Sequence, residues 1–407
     1  MIESQKLVSR VSRTGERSGT FDVIIIGGGI MGCCSAYEIA RRGMSVAVVD
    51  KGTIGDSPSG KSSAIIRQHY SNELTARMAL YSLGVFQEFD DRVGGECGFT
   101  KTGFMMLVDA KDRQGLEANI ALQRKIGIET ELLQMETVSE LVPDLKITDR
   151  VSVAFEPESG YADPYMTVNA YAQAARRQGA TIIQENRVLN VLFEGDRVRG
   201  VLTQEGELTA PIVLNCSGAW GAQVAALAGV SVPINSCRVQ VAFFRRPPGF
   251  ESPHPVVADF TNATYFRSET GGLTLVGLID PGEAKAVVDP DNFKEYMDDE
   301  FLLDVGERLV RRFPAMEMGE STGGYSSLYA ITPDWHPIID EVPAGSGFYV
   351  CSGFSGHGFK LGPAIGLMVA ALISGEKGAR FDPHLFRYDR FETDDLVTGG
   401  YEYSIVG

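Results

Sequence analysis

The stretch from Phe21 to Lys51 constrains the fold of this chain more than any other part of the sequence. Val23 to Ile26 are four β-branched residues in a row, which predicts a strand buried on both faces. A helix is predicted up to Arg42, and Ser45 to Val49 predicts a second buried strand. Between the first strand and the helix lie three glycines with G-x-G-x-x-G spacing: Gly27, Gly29 and Gly32.

This order of strand, glycine turn, helix and strand is typical of a dinucleotide site. The first glycine allows the tight turn, the second lets the backbone approach a pyrophosphate, and the third lets the helix pack closely on the strand. The free N–H groups at the helix N-terminus then point at the phosphates. Asp50 ends the second strand, where a carboxylate would accept hydrogen bonds from both ribose hydroxyls. The alternative is an ordinary glycine-rich turn before a helix.

Length and charge limit the classes of function. The chain has 407 residues, which suits two domains or one elaborate domain. The net charge of −16 argues against a nucleic-acid partner, because phosphates would repel it. No apolar run reaches the ~18 residues needed to span a bilayer, so no membrane span is expected.

Cysteine and histidine usage points away from disulfides and metals. None of the six cysteines forms a C-x-x-C pair, so we interpret them as reduced thiols of a cytoplasmic protein. None of the five histidines pairs at metal-ligand spacing, so no metal site is expected. Residues 1–20 lack an apolar core, which excludes a secretory signal and favours an N-terminal arm packed on the surface or frayed.

The remaining pattern predicts an interleaved α/β protein. Helices are predicted over Ala64–Gln87, over Arg113–Lys125, over Asp163–Gln178 with Asp163 as the N-cap, over Asp291–Phe313 as one or two helices, and over Leu361–Ile373. After Pro233 several short segments alternate as antiparallel strands do. The fold class expected is therefore a Rossmann-like cofactor domain interleaved with an antiparallel-sheet (α+β) substrate domain. We predict a cofactor domain over 21–100, 160–233 and 322–390, a substrate domain over 101–159 and 234–321, and a tail over 391–407.

Four motifs in this order carry a resemblance to a known family: the GGGIMG turn, Asn215–Trp220, Tyr329–Asp340 and the SGFSGHGFK stretch from Ser352 to Lys360. Together they resemble the D-amino-acid oxidase superfamily of FAD-dependent oxidoreductases. The nearest branch holds sarcosine oxidase, the sarcosine oxidase beta subunit and dimethylglycine dehydrogenase. The resemblance covers nearly the whole chain, from about Phe21 to Phe386.

The resemblance implies an extended FAD, with its pyrophosphate on the glycine turn and its isoalloxazine wrapped by the second glycine-rich loop. The residues implied to contact FAD are Gly27, Gly29, Ile30, Met31, Gly32, Asp50, Lys51, Ser62, Ser63, Ala64, Val188, Ser217, Gly218, Trp220, Gly353, Gly356, His357, Gly358, Phe359 and Lys360. Covalent relatives carry a cysteine where this chain has Ser327, and histidyl-flavin relatives carry a histidine near Ser63, where the nearest one here is His69. We therefore expect non-covalent FAD.

For the substrate, the resemblance implies a carboxylate held by Arg67 and Lys360, with Tyr70, Tyr265, Tyr329 and His357 as further catalytic or cavity-lining candidates. Two cations on separate segments suit one carboxylate. Each residue also has a plainer interpretation: Arg67 and Lys360 as surface charges, the tyrosines as core or rim aromatics, and His357 as a structural hydrogen-bonding group.

The activity implied is oxidation of a small secondary or N-alkyl amino acid, such as sarcosine. Hydride passes from the carbon next to nitrogen to flavin N5, and the imine that results is hydrolysed. The electron acceptor is oxygen or an unknown acceptor; the lysine that some oxidases place over the flavin has no match in 272–277. Two alternatives remain open: a flavoprotein subunit of a multi-chain amino-acid dehydrogenase or oxidase with partner subunits, and a non-catalytic flavoprotein that serves assembly.

Overall fold

The computed structural model describes residues 19–398, apart from 57, 149, 251, 281, 283 and 284. The expected N-terminal arm therefore lies outside the described residues except for Gly19 and Thr20. The expected C-terminal tail is described only up to residue 398.

The strands, in chain order, are β1 (Gly19–Thr20), β2 (Val23–Ile26), β3 (Val46–Val49), β4 (Ile65–Ile66), β5 (Thr100–Lys101), β6 (Phe104–Asp109), β7 (Glu131–Leu133), β8 (Val151–Glu156), β9 (Gly160–Tyr161), β10 (Thr181–Ile183), β11 (Val188–Glu194), β12 (Arg197–Thr203), β13 (Gly206–Thr209), β14 (Ile212–Asn215), β15 (Asn235–Arg245), β16 (Val256–Asp259), β17 (Thr264–Glu269), β18 (Leu273–Leu278), β19 (Glu320–Ile331), β20 (Ile338–Glu341) and β21 (Phe348–Ser352). The α-helices are α1 (Ile30–Ala40), α2 (Glu73–Gln87), α3 (Phe89–Arg92), α4 (Arg113–Lys125), α5 (Met135–Leu141), α6 (Pro164–Arg177), α7 (Gly221–Leu227), α8 (Asp299–Arg312) and α9 (Gly358–Ser374).

A six-stranded sheet with the order β10-β3-β2-β14-β21-β20 carries the glycine turn. Every pairing in it is parallel except that of β20 with β21. All residues of β2 and β3 are buried, as their unbroken apolar runs predict. Helices α1, α6 and α9 pack on one face, and the four-stranded sheet β1-β13-β12-β11 packs with α7 on the other. α1 is buried at every position between this sheet and the neighbouring helices α6 and α9. In the described ranges, no helix combines the length and the apolar character that crossing a bilayer requires.

A second large sheet has eight strands in the order β19-β15-β18-β17-β16-β6-β8-β7. All of its pairings are antiparallel except that of β16 with β6. One face packs on the apolar side of α8, whose Phe301, Val305 and Leu309 are buried. The two sheets alternate along the chain, which confirms the expected fold class; the expected boundary at residue 322 lies inside β19.

The predicted helix over Ala64–Gln87 is wrong in its first half. Ile65 and Ile66 form β4, which pairs with β9 in a small three-stranded sheet, and the helix begins only at Glu73. Asn72 caps it by accepting a hydrogen bond from the Thr75 N–H at 2.7 Å. Distant pairing therefore overrides the local helical pattern.

The predicted helices over Asp291–Phe313 reduce to α8, which begins at Asp299. The preceding residues 285–298, which we call the strap, lack a regular helix because their backbone bonds to the eight-stranded sheet. The Arg238 N–H donates to the Ala286 carbonyl at 3.0 Å, and the Ser326 N–H donates to the Glu295 carbonyl at 2.7 Å. The long strand β19 was not predicted from the sequence, because Gly323 and Gly324 interrupt its apolar pattern.

Candidate active site

The glycine turn leaves no room for side chains at two of its positions. Gly27 has a φ of +107°, and a Cβ there would lie 2.6 Å from the Cys216 carbonyl oxygen. A Cβ on Gly32 would lie 1.8 Å from the Gly27 carbonyl oxygen. The turn therefore folds back on the first turn of α1 as the G-x-G-x-x-G spacing predicts.

Two side chains fix the loop around this turn. Ser59 Oγ accepts a hydrogen bond from the Ile30 N–H at 3.0 Å. The Asp50 carboxylate accepts hydrogen bonds from the Gly28 N–H at 2.6 Å and from the Gly52 N–H at 2.8 Å. Asp50 thus holds the turn through the backbone, and its expected contact with a ribose stays a prediction.

A cleft with about 940 Å³ of empty space opens at the N-terminus of α1. It runs between the two glycine-rich segments, so its lining joins both predicted cofactor elements. The predicted residues that line it are Gly29, Ile30, Met31, Ser62, Ser63, Gly218, Tyr265, Tyr329, Gly353, Gly356, Gly358 and Phe359. A backbone-lined cleft that begins at a helix N-terminus fits an extended dinucleotide, because the phosphates need N–H donors and close approach.

Other predicted cofactor residues lie around this cleft without lining it. Gly27 and Gly32 form the turn itself, and Lys51 and Trp220 line an adjoining cavity that shares Pro58, Lys61, Ser327 and Leu328 with the cleft. Neither cavity is lined by Asp50, Ala64, Val188, Ser217 or His357.

Asp291 ties the strap to the side of the cleft. Its carboxylate accepts hydrogen bonds from Arg187 at 3.1 and 3.2 Å and from Trp220 Nε1 at 2.9 Å, and it pairs with Lys51. The Lys51 ammonium also lies 3.7 Å from the centroid of the Trp220 ring. The hydrogen bonds from Arg187, and then those from Lys51 and Trp220, hold the pKa of Asp291 below its ordinary value, so the carboxylate is charged. Nothing in the local sequence pairs Asp291 with these residues.

A smaller cavity of about 550 Å³ adjoins the cleft. The two share Ser63, Tyr265, Leu278, Tyr329 and Gly356. Arg67, from the loop after β4, and Lys360, from the first turn of α9, both line the smaller cavity.

Arg67 and Lys360 are both buried, at 5% and 6% exposure, so neither is a surface charge. Among the described residues, those that line this cavity include no aspartate or glutamate. Burial, and then the charge of Arg67, lower the pKa of Lys360 well below its usual range. Two buried cations at a cavity whose lining carries no acidic side chain are chemically suited to an anion, since an anion would offset their desolvation.

Tyr70 and His357 lie behind this pair of cations and do not line the smaller cavity. The Tyr70 ring centroid is 4.7 Å from the Arg67 guanidinium carbon. His357 Nε2 is 2.8 Å from the Trp335 carbonyl, which can only accept, so Nε2 carries the proton and Nδ1 accepts from the Tyr70 hydroxyl at 3.4 Å. Burial, followed by the charges of His336 and Lys360, lowers the pKa of His357 well below its usual range, so the imidazole is neutral.

Several cavity residues could not be assigned from the sequence, because they come from β4 or from strands of the eight-stranded sheet and the segments next to those strands. They form an apolar wall of Ile65, Phe104, Met106, Ala258, Phe260, Leu278 and Ile279. Strand alternation marks some of them as inward-facing, but no local signal indicates which cavity they reach.

The residues that bear on covalent flavin attachment and on metal binding can also be located in the structure. Ser327 lines the large cleft, whereas His69 is fully buried and lines neither cavity. Within the part of the chain that the structure describes, no group of three His, Cys, Asp or Glu side chains could hold a metal ion.

Comparisons with known proteins agree with this geometry. The family model described as FAD dependent oxidoreductase matches residues 22–372. The mitochondrial pyruvate dehydrogenase phosphatase regulatory subunit of Mus musculus is 28% identical over 360 residues, and the mitochondrial sarcosine dehydrogenase of Homo sapiens is 27% identical over 375 residues. These matches cover 86% and 87% of this chain, which spans only 40% of the length of each relative. The crystal structure of L-proline dehydrogenase from P. horikoshii superposes with a TM-score of 0.86 at 29% identity, covering 93% of this chain and 100% of that one.

Proposed function

This chain belongs to the FAD dependent oxidoreductase family, and we propose that it oxidises a small secondary or N-alkyl amino acid at the carbon next to nitrogen. One observation carries the proposal: Arg67 and Lys360 are buried together in a small cavity that opens onto the cofactor cleft. The relatives named sarcosine dehydrogenase and L-proline dehydrogenase support a secondary amino acid.

The residues that would hold FAD are those of the glycine turn, the N-terminus of α1 and the loop from Gly353 to Phe359. When bound, FAD supplies the acceptor for the hydride removed from the substrate. We propose that it is bound non-covalently, because Ser327 stands where covalent relatives carry a cysteine.

The chain's own residues would bind and orient the substrate. Arg67 and Lys360 hold the carboxylate, which fixes the direction of the rest of the molecule in the cavity. The apolar wall excludes water from the remaining surface. The two cations and the low polarity also lower the pKa of a bound amine, which favours the neutral form that can release hydride. No dedicated general base is required in this scheme.

Anaerobic mixing of the FAD-loaded protein with candidate substrates tests this function. We expect N-methyl amino acids or cyclic imino acids to bleach the flavin, and their decarboxylated amines to be at least about a hundredfold slower, because the cations then lack a carboxylate. D-amino acids form the comparison set. If no amino acid in the panel bleaches the flavin, the proposed function is wrong.

The second candidate is a flavoprotein that works within a larger assembly, either as the oxidising subunit or without catalysis. The relative named as a regulatory subunit favours it. Reoxidation after bleaching separates the outcomes: fast turnover with oxygen by the isolated chain supports an independent oxidase, and slow reoxidation supports transfer to a partner subunit or another acceptor. A cytoplasmic location is part of the same proposal, because Cys33, Cys34, Cys97, Cys216 and Cys351 are buried free thiols.

Asp291→Asn is expected to speed the release of FAD about three- to tenfold, because the strap loses its charged contact with Lys51 and Arg187. The effect is modest because the Asp291 side chain is 34% exposed. Release is measured as the rise of flavin fluorescence after dilution. Asp299→Asn, an exposed acid in the first turn of α8, should leave the rate unchanged; equal rates for both variants would contradict a role of the strap in retention.

A further inference from the structure

A buried carboxylate lies behind the loop that carries Arg67. Glu156 is the last residue of β8 and is 1% exposed. Its Oε2 accepts a hydrogen bond from the Gln68 N–H at 2.8 Å and one from Ser159 Oγ at 2.7 Å. Glu156 therefore holds the backbone of the residue that follows Arg67.

The hydrogen bond from the Gln68 N–H to Glu156 also constrains the Arg67 side chain. Arg67 Nη1 donates to the His69 carbonyl, and the guanidinium lies over the Tyr70 ring. The Gln68 N–H, which Glu156 holds, lies between Arg67 and that carbonyl in the chain. On the other side, Ile65 and Ile66 are paired with Tyr161 and Gly160. Movement at Gln68 would thus turn the guanidinium within the cavity.

The buried side chains of Glu156 and His69 carry a free-energy cost that packing alone does not explain. Among the described residues, Glu156 Oε1 and both imidazole nitrogens of His69 have no hydrogen-bond partner. His69 Nδ1 lies 3.8 Å from Glu156 Oε1. A buried polar atom without a partner is expensive and points to a role beyond stability.

We propose that Glu156 is a positioning residue, which holds the Gln68 backbone so that Arg67 presents its guanidinium to the substrate carboxylate. The inference rests on the proposed function, because it assumes that a carboxylate binds between Arg67 and Lys360. Glu156 touches neither cavity, so it acts through Arg67.

The charge of Glu156 gives this role a signature in pH. Burial raises the pKa of Glu156 to about 7, and burial lowers the pKa of His69 to about 3, so His69 stays neutral while Glu156 ionises. The groups that face Glu156 are Arg67, His69 and Tyr70. Across the cavity, Lys360 on α9 and His357 just before α9 face Arg67. As pH rises, a negative charge appears beside Arg67 and weakens its attraction for a bound carboxylate.

The test uses propionate, a carboxylate without an amine, titrated into the FAD-loaded protein and followed by the shift in flavin absorption. For the wild type, we expect Kd to rise about tenfold between about pH 6 and pH 8. Glu156→Gln keeps the hydrogen bonds that Oε2 accepts but cannot ionise. At the low end of this pH range, the Kd of Glu156→Gln should match the wild-type Kd. Toward the high end, its Kd should rise much less than that of the wild type. The part of the rise that is due to Lys360 remains in both proteins.

Glu156→Ala separates positioning from charge. It should bind propionate about tenfold more weakly than Glu156→Gln at the low end of this range, because the Gln68 N–H loses its acceptor. Glu158→Gln is the matched control, since Glu158 lies two residues away and pairs outward with Lys101; it should behave as wild type. If Glu156→Ala does not fold, the pH dependence of propionate binding by Glu156→Gln tests the role of Glu156 instead.

The outcomes also separate the two proposals. Absence of propionate binding by the wild type would overturn the carboxylate site itself and this inference with it. Normal binding by the wild type, together with equal propionate Kd values for Glu156→Ala and Glu156→Gln at the low end of the pH range, would overturn only the role of Glu156. If Glu156→Ala does not fold, a Glu156→Gln profile that retains the full rise with pH would overturn that role.

Discussion

Gly32→Ala is expected to leave a folded protein that retains less than about a tenth of its FAD. The added Cβ would lie 1.8 Å from the Gly27 carbonyl oxygen, which belongs to the backbone and cannot move aside as a flexible side chain can. α1 must then shift away from the glycine turn, and overpacking of this kind costs about 1–3 kcal/mol or more. The shift displaces the N–H groups at the N-terminus of α1 on which we expect the pyrophosphate to lie.

Flavin content after acid precipitation measures this loss, with thermal unfolding as the check on folding. The wild type should release all of its flavin in acid, as non-covalent binding requires. Gly306→Ala is the matched control: Gly306 lies within α8, and its added Cβ would meet the Phe244 ring at an ordinary 3.5 Å. Full FAD occupancy in Gly32→Ala would show that the turn does not hold the cofactor.

Arg67→Met and Lys360→Met are each expected to lower kcat/KM for the amino acid about a hundredfold or more, with FAD content unchanged. Each substitution removes one of the two cations of the smaller cavity while roughly keeping the volume of the side chain. The loss corresponds to about 3 kcal/mol, which is within the range for removing one partner of a buried charge pair. The double variant should lose less than the product of the single losses, because in our proposal both cations bind the same carboxylate.

Steady-state kinetics with the best substrate of the bleaching panel gives these values. Arg77→Met and Lys101→Met are suitable controls, because these cations are exposed and pair with Glu73 and Glu158 on the surface. Such surface pairs contribute little, so both controls should keep wild-type kinetics. If the cavity variants also keep wild-type kinetics, the carboxylate lies elsewhere.

Helices with local start signals could be predicted closely from the sequence. α4 was expected over Arg113–Lys125 and has these bounds, and α6 begins after Asp163, which caps it by accepting a hydrogen bond from the Met166 N–H at 2.7 Å. The apolar periodicity and the cap lie within a few residues of each other, so contacts with distant segments were not needed to set the bounds of these helices.

The environment of the site residues could not be predicted in the same way. The sequence pattern placed Arg67 in a helix that began at Ala64, whereas β4 pairs with β9 and directs Arg67 into the cavity. The part of the strap from Asp291 on was expected to be helical. Instead, the strap backbone bonds to the eight-stranded sheet, and Asp291 contacts Lys51, Arg187 and Trp220. In both places contacts between distant segments outweigh local propensity.

The sequence by itself determined the glycine turn, because its constraints act between neighbours. Gly27 must adopt a positive φ and Gly32 must lack a side chain for one turn of chain to fold back on α1, and both conditions can be read from the spacing. Only the tertiary structure decided that Arg67 and Lys360 share one buried cavity with Glu156 behind it. Burial and electric field arise from segments far apart in the chain, and they give these charged residues the environment of the carboxylate site that we propose.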